Sequence, residues 1–195
     1  MDIVQRVKDI TMKPKDTWPA IKTEQTTIQE LYSSYAVILA AIPPLASFLG
    51  LSLLGVSMMN IHYRIPLGTG ISHAVVSYVL SLVGLYVIAQ IIDALAPSFG
   101  SQKNLTNAMK LAVFSSTPSW IAGILIIIPF LAPIALILSL YSLYLFYLGL
   151  PIMMDTPQDK AMGYFIITII ISIVVFILIG SISRALFGLG GMGWI

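Results

Sequence analysis

The chain contains no cysteine and very little charge. The absence of cysteine from all 195 residues excludes disulfide bonds and thiolate metal sites. Only 9% of the residues are charged and 58% are hydrophobic, whereas an ordinary soluble domain has roughly 25% charged residues. A net charge of +2 is too small for a nucleic-acid surface, so we expect no nucleic-acid partner. Lipid is therefore the expected solvent for most of this chain.

Recognisable catalytic and cofactor motifs are also absent. The sequence has no HExxH, no Gly-Lys-Ser/Thr phosphate loop, no Gly-x-Ser-x-Gly and no close carboxylate pair within an apolar segment. His62 and His73 are separated by ten residues that include no carboxylate cluster, which is a poor pattern for a metal site. We expect a protein that is not an enzyme and that needs no cofactor or metal.

Five apolar segments follow a polar N-terminal stretch. About 20 apolar residues suffice to cross the hydrocarbon core of a bilayer. The pattern predicts an all-α integral membrane bundle of five transmembrane helices spanning 34–188, an amphipathic segment at 1–33 and a loose glycine-rich tail at 189–195. The predicted apolar segments are 35–59, 71–95, 111–128, 134–154 and 165–187.

The N-terminal segment has the pattern of a short amphipathic helix. Ile3, Val7 and Ile10 recur at helical spacing and are flanked by charged residues. Such a helix either lies in the membrane interface or packs on the protein's own face. Pro14 should end it, and Trp18 is expected at the level of the lipid headgroups. A second short helix is expected from residue 24 to residue 32.

Prolines are expected to bend or reverse the apolar segments. Pro43-Pro44 should bend the first segment and Pro118 should kink the third, because proline breaks the helical hydrogen-bond ladder. Pro129 and Pro133 bracket a reversal without a polar loop. The third and fourth segments therefore form either an antiparallel pair of full spans or one long re-entrant hairpin.

Lysine and arginine are distributed unevenly between the two ends of the predicted bundle. Cytoplasmic ends of membrane proteins carry the excess of these residues. The count of eight against two predicts a cytoplasmic N-terminus and an external C-terminus. The eight are Arg6, Lys8, Lys13, Lys15, Lys22, Lys103, Lys110 and Lys160, and the two are Arg64 and Arg184.

The same predicted end collects the candidate site residues. Asp93 lies among apolar neighbours at the edge of the second segment, where an acidic group is costly unless it is paired or hydrated. Together with Lys110 it forms either an ion, proton or headgroup site or a structural salt bridge. Asp159 and Lys160 belong to the charged turn after the fourth segment.

The fourth segment supplies the other candidates. Tyr144 and Tyr147 continue a tyrosine stripe that begins at Tyr141, and it forms either a pore or ligand wall or an aromatic belt. Gly149 and Pro151 indicate either a broken helix of the kind that builds transport sites or a simple helix end. In the turn that follows, the side chain of Asp155 or Thr156 is expected to cap nearby amides.

Short motifs along the chain resemble those of the YIP family, in its prokaryotic branch. The motifs are Tyr144 through Pro151, Thr156-Pro157, Asp159-Lys160-Ala161 with Tyr164, Lys13-Pro14 with Trp18, Ile21 and Glu24, Ile42-Pro43-Pro44, Ile92 through Pro97, and Thr117-Pro118. The resemblance implies five spans, a cytoplasmic N-terminus and a prokaryotic cytoplasmic membrane. Eukaryotic members are associated with Rab-type GTPases, but the chain lacks their long N-terminal region and their Asp-Leu-Tyr-Gly-Pro motif.

Two hypotheses of function follow. The first is a non-enzymatic protein of the YIP type that acts in membrane organisation or as a scaffold, with a protein partner at its cytoplasmic face. The alternative is a small channel or transporter with a site near Asp93 and Lys110. In both cases the lipid bilayer is a partner, and the small residues Gly50 and Gly55 are compatible with a homo-oligomer.

Overall fold

Five long apolar helices account for most of the chain. The computed structural model describes residues 2–58 and 61–188, and within them five helices are long and apolar enough to cross a membrane. The predicted all-α five-span bundle is confirmed; the predicted tail at 189–195 lies outside the described residues. The five spans are Ile28–Leu54, Leu67–Phe99, Leu105–Ile127, Ala132–Met154 and Gln158–Ser181.

Two short helices precede the first span. Helix α1 covers Ile3–Met12 and helix α2 covers Pro14–Thr23. The carboxylate of Asp2 caps α1 by accepting from the amides of Val4 and Gln5 at 3.0 and 3.3 Å. Pro14 ends α1 as predicted and also starts α2, since proline is well tolerated in a first helical turn.

These helices, the N-terminal helix pair, fold back on each other and pack on the bundle. The hydroxyl of Thr17 donates to the carbonyl of Asp9 at 3.0 Å. Ile10, Trp18 and Ile21 are fully buried in the hydrophobic core. The pair therefore packs on the protein's own face. The Trp18 ring is covered by the bundle and does not face lipid, and its depth relative to the lipid headgroups stays a prediction.

The first span is an irregular helix that begins at Ile28, before the predicted residue 35, because it includes most of the short helix expected at 24–32. A capping box joins Thr27 and Glu30, with the Thr27 amide donating to the Glu30 carboxylate at 2.9 Å, so the helix begins at Ile28 and not at residue 24. The helix breaks at Ala41, close to Pro43-Pro44, where a bend was predicted. Its pieces are Ile28–Leu31, the π-turn Tyr32–Ala36, Val37–Ala40, Ile42–Phe48 and the π-turn Leu49–Leu54.

Two glycines allow the first and third spans to approach closely. A Cβ atom at Gly123 would lie 2.6 Å from Cγ of Pro43, and one at Gly50 would lie 2.6 Å from the carbonyl oxygen of Ile127. Real Cβ atoms do not approach other atoms so closely. Gly50 is therefore used in packing within the chain.

A short hairpin lies between the first and second spans, and its first strand occupies residues that were predicted to belong to the first apolar segment, 35–59. Strands β1, Val56–Met58, and β2, Ile61–Tyr63, pair antiparallel. After β2, the guanidinium of Arg64 donates to the carbonyls of Ser52 and Leu53 at 2.6 and 2.5 Å. Arg64 thereby satisfies carbonyls that the end of the first span leaves without a helical partner.

A short turn connects the second span to the third. The second is an α-helix over Leu67–Leu95 that tightens into a 3₁₀ turn at Ala96–Phe99 and stops at Gly100 with φ of 72°. The third consists of Leu105–Ser115, Thr117–Ala122 and the 3₁₀ turn Gly123–Ile127. Its break at Ser116, two residues before Pro118, is the predicted kink.

The third and fourth spans meet at an apolar tip. A 3₁₀ turn at Pro129–Leu131 leads into helices Ala132–Ser139 and Tyr141–Met154, and the fifth helix covers Gln158–Gly188. Phe130 is 89% exposed. Large hydrophobic side chains are exposed along the spans as well, and they provide the apolar exterior that a lipid environment requires.

Candidate functional site at the charged end of the bundle

The N-terminal helix pair lies along the second half of the fourth span. The hydroxyl of Tyr141 donates to the carbonyl of Thr11 at 2.8 Å, and the ammonium of Lys22 forms an ion pair with Asp155. These contacts flank a helix of 14 residues, which is about 20 Å long. The pair therefore covers the fourth span from near its middle to the end at which Asp155 lies, which we call the charged end.

Trp18 and Gly149 form the tightest contact of this interface. The Trp18 side chain is fully buried, and a Cβ atom at Gly149 would lie 2.5 Å from its Cε2 and 2.6 Å from its Cζ2. Only a glycine at position 149 leaves room for the indole ring in its observed position. Gly149 thus permits a close contact between the fourth span and α2.

Lys110 is a buried cation that binds backbone carbonyls. The residue is only 2% exposed, and its Nζ donates to the carbonyl of Ile21 at 2.9 Å and to that of Glu24 at 2.6 Å. Both carbonyls belong to the end of α2, where the Ile21 carbonyl also accepts from the Glu24 amide at 3.3 Å and the Glu24 carbonyl lies past the last helical turn. Lys110 therefore fixes the end of the N-terminal helix pair to the third span.

The predicted pairing of Asp93 with Lys110 is not formed. Among the described residues, the two ion pairs are Arg6 with Glu24 and Lys22 with Asp155. Lys110 instead binds the backbone carbonyls at the end of α2. The sequence could not show this because nothing in the pattern of residues 1–33 specified where α2 would end.

Arg6 extends the same network around α1. Its guanidinium pairs with Glu24 and lies 5.6 Å from the centre of the Phe114 ring, a distance suited to a cation–π contact. The Phe114 ring packs edge-on against Tyr35, whose hydroxyl shares a 2.8 Å hydrogen bond with Thr117. This chain of contacts joins the helix pair to the first and third spans.

Asp93 lies next to the residue of the second span that Tyr164 contacts. The hydroxyl of Tyr164 donates to the carbonyl of Ile92, and its ring stacks on Phe99 with 4.8 Å between centres. The Oδ1 atom of Asp93 is buried and has no hydrogen-bond partner. The same is true of the hydroxyl of Thr168, one helical turn beyond Tyr164. Of the candidate residues, Asp93 is therefore the one with a buried side-chain oxygen that no described residue binds.

The tyrosines of the fourth span lie at the surface of the bundle. Tyr144 and Tyr147 are 45% and 38% exposed. Tyr144 packs near Tyr141 with 5.5 Å between ring centres, and Tyr147 packs edge-on against Phe165 at 5.4 Å. These contacts fit the aromatic-belt alternative better than a pore wall.

The helix of the fourth span continues through Pro151. It ends at Met154 with Asp155 in the left-handed conformation, φ 51°, so neither a break nor a helix end occurs at Gly149. Prolines are tolerated in membrane helices because their surroundings satisfy the freed carbonyls. In this helix Pro151 lies in the last turn, three residues before the helix ends at Met154.

The turn after the fourth span is held by long-range contacts. Capping by Asp155 or Thr156 side chains was expected, but Asp155 pairs with Lys22, and the Thr156 hydroxyl bonds to that of Ser101 at 2.7 Å. Lys160 reaches over the Gly100 turn, where its Nζ would lie 3.4 Å from a Cβ atom. Asp159 is exposed in the first turn of the fifth helix.

Comparison with known proteins agrees with this architecture. The Yip1 domain matches residues 8–179. The chain belongs to the Yip1 family. The matched region begins inside α1 and includes all of α2, so it contains most of the N-terminal helix pair. Together with the five apolar helices, this membership makes the chain a multi-pass membrane protein.

Two bacterial relatives extend over nearly the whole chain. One is the protein named "Inner membrane protein YohC" from Escherichia coli strain K12, which is 24% identical over 181 residues, covering 91% of this chain and 93% of the relative. The protein of the same name from Escherichia coli O6:H1 shows the same identity and coverage. No solved structure matches the chain.

The contact between Trp18 and Gly149 predicts a measurable coupling. We expect Gly149→Ala to cost about 1–3 kcal/mol because its methyl group overpacks against the indole, and Trp18→Ala to cost about 3–5 kcal/mol because it leaves a cavity. Unfolding in detergent should show that Gly149→Ala costs far less in the Trp18→Ala background. Gly180→Ala is the control, since a Cβ atom there meets nothing within 4 Å. An equal cost of Gly149→Ala in both backgrounds would contradict the contact.

Replacing Lys110 should loosen the N-terminal helix pair. Lys110→Met keeps an unbranched side chain of similar length but removes the hydrogen bonds to the carbonyls of Ile21 and Glu24, so we expect a loss of about 1–3 kcal/mol. Trypsin should then cleave after Lys15 faster than in the unmodified protein, whereas Lys13 is protected by Pro14. Lys103→Met, at an exposed lysine, should change stability by less than about 0.5 kcal/mol. Unchanged cleavage in Lys110→Met would show that the carbonyl contacts do not hold the pair.

Proposed function

We propose that this Yip1-family protein is a non-enzymatic scaffold in membrane organisation, with a trafficking-like role exercised through its charged end. The supporting observation is that the helix pair is built into the bundle, held by Trp18, Lys110 and the Lys22–Asp155 ion pair. Such a surface needs no folding on contact, so a partner that binds it loses little conformational entropy.

We further propose that the protein lies in a prokaryotic cytoplasmic membrane, with the charged end and the N-terminus in the cytoplasm and the C-terminus outside. The count of eight basic residues against two supports this orientation. The name of the relatives, inner membrane protein, supports the membrane type. Self-association into a homo-oligomer remains a prediction, and its interface would have to be formed by residues other than Gly50.

The exposed polar surface of the helix pair is the proposed contact with a protein partner. Lys8, Lys13, Lys15 and Asp16 are all exposed, whereas the apolar side chains Ile10, Trp18 and Ile21 point into the core. A charged surface on a rigid support favours recognition by complementary charge.

Charge reversal on the helix pair should abolish partner capture. We expect purification of the tagged full chain in mild detergent to recover a defined partner, and the double variant Lys8→Glu, Lys15→Glu to recover at least tenfold less of it. The double variant Lys8→Arg, Lys15→Arg keeps the charge and should recover the partner as well as the unmodified chain. Recovery of no defined partner, or equal recovery by both variants, would contradict the scaffold proposal.

A small channel or transporter is the second candidate function. Its support is the buried Oδ1 atom of Asp93, which has no partner at the edge of a span, where acidic groups are costly and often functional. Lys110 contributes nothing to this argument, since its donors bind the carbonyls of α2. The site would therefore consist of Asp93 and its surroundings near Tyr164.

This second candidate predicts flux through the purified protein. Liposomes containing the unmodified chain should pass protons or a small cation, and Asp93→Asn should reduce the flux at least fivefold because it removes the negative charge. Asp159→Asn, at an exposed carboxylate, is the matched control and should leave the flux unchanged. Absence of flux above empty liposomes would exclude this function.

A further inference from the structure

A polar cavity lies between the N-terminal helix pair and the start of the first span. Its volume is about 460 Å³, within the range of ligand sites in proteins. It was not among the sites suggested by the sequence. The lining residues are Arg6, Glu24, Gln25, Thr26, Glu30 and Ser34.

The cavity carries charges of both signs. Arg6 and Glu24 form an ion pair at its wall, with side chains that are 15% and 34% exposed. Glu30 adds a second carboxylate. Behind the wall, the ammonium of Lys110 is fixed to the Glu24 carbonyl at 2.6 Å. A ligand in the cavity therefore meets two carboxylates and one guanidinium directly.

Both carboxylates keep an oxygen free for a ligand. Arg6 donates to Oε1 of Glu24, and the amide and the hydroxyl of Thr27 donate to Oε2 of Glu30. The other oxygen of each carboxylate accepts no hydrogen bond from the described part of the chain. Two free carboxylate oxygens at one cavity favour a ligand with several N–H donors and a positive charge.

The cavity is open at the level where the first span enters the membrane. That span begins at Ile28, and Glu30 and Ser34 are one helical turn apart on the same face of its first turns. Their polar side chains line the cavity at the beginning of an otherwise apolar helix. Lipid headgroups occupy the layer that borders the hydrocarbon core, so the cavity is placed to receive one.

We propose that this cavity binds a phosphoethanolamine group, supplied by a phospholipid headgroup. Its primary ammonium donates to the free oxygens of Glu24 and Glu30, and its phosphate lies against Arg6. The amide of Gln25 and the hydroxyl of Thr26 offer neutral hydrogen bonds beside the charges. The proposal is independent of the scaffold function, since it concerns a lipid contact on the side of the bundle.

The lining also discriminates against other headgroups. A trimethylated choline has no N–H donors for the carboxylates, and proteins usually hold it with aromatic rings, which none of the six lining residues has. A glycerol headgroup has no positive charge, so its phosphate would meet two carboxylates without an ammonium to offset them. Discrimination of this kind depends on unpaired or mismatched charge as much as on good contacts.

Lipid binding to the unmodified full chain tests the proposal directly. Native mass spectrometry in detergent, with lipids of identical acyl chains, should show phosphatidylethanolamine binding at least fivefold tighter than phosphatidylcholine or phosphatidylglycerol. Equal binding of the three lipids would overturn the proposal. This comparison needs no substitution and therefore does not depend on how well a variant folds.

A single substitution locates the binding. Glu30→Gln removes one carboxylate charge but retains the capping box, because glutamine serves as well as glutamate at that position, so thermal stability should be unchanged. We expect it to weaken phosphatidylethanolamine binding at least fivefold. Asp159→Asn, which removes an exposed carboxylate elsewhere at the charged end, should leave binding unchanged. Equal binding by Glu30→Gln and the unmodified chain would place the lipid elsewhere and overturn the proposal.

Free phosphoethanolamine distinguishes the two sources of the group. It should displace a short-chain phosphatidylethanolamine only at concentrations at least tenfold higher than the lipid itself requires, because the acyl chains add apolar contacts beside the first span. Displacement at equal concentration would overturn the lipid assignment in favour of a soluble zwitterion.

Discussion

The burial of Trp18 against Gly149 is the contact on which the rest of the charged end depends. The indole ring is fully covered, and the absence of a side chain at position 149 lets it reach the fourth span. Burying a side chain of this size contributes several kcal/mol of apolar transfer free energy. With the ring in place, Lys22 reaches Asp155 and the end of α2 reaches Lys110, so the polar contacts follow from the apolar one.

The position of Lys110 illustrates how a buried charge is accommodated. A cation with 2% exposure would be costly without partners, but the end of α2 offers it the carbonyls of Ile21 and Glu24. The lysine and the helix end therefore satisfy each other. In doing so they also fix the backbone of Glu24, whose side chain lines the cavity together with Arg6, so one arrangement supports both the fold and the proposed lipid site.

Local features of the fold could be predicted because their causes are local. Pro43-Pro44 and Pro118 break helices within a turn of their own positions, and Pro14 separates α1 from α2. The site residues were less predictable. The helix does end three residues after Pro151, close to where an end or a break was expected, but Asp155 and Thr156 bind Lys22 and Ser101 instead of nearby amides. These outcomes depend on partners far away in the chain, which no local pattern specifies.

The sequence alone determined that this protein is an all-α membrane protein of five spans, because a charged fraction of 9% and five long apolar runs leave lipid as the only suitable solvent. Only the tertiary structure decided where the N-terminal helices lie. An amphipathic helix has an apolar face that either a membrane or the protein can cover. The spacing of apolar residues in the sequence is the same in both cases. The space at Gly149 and the carbonyl partners of Lys110 decide it, since they exist only once the spans have packed.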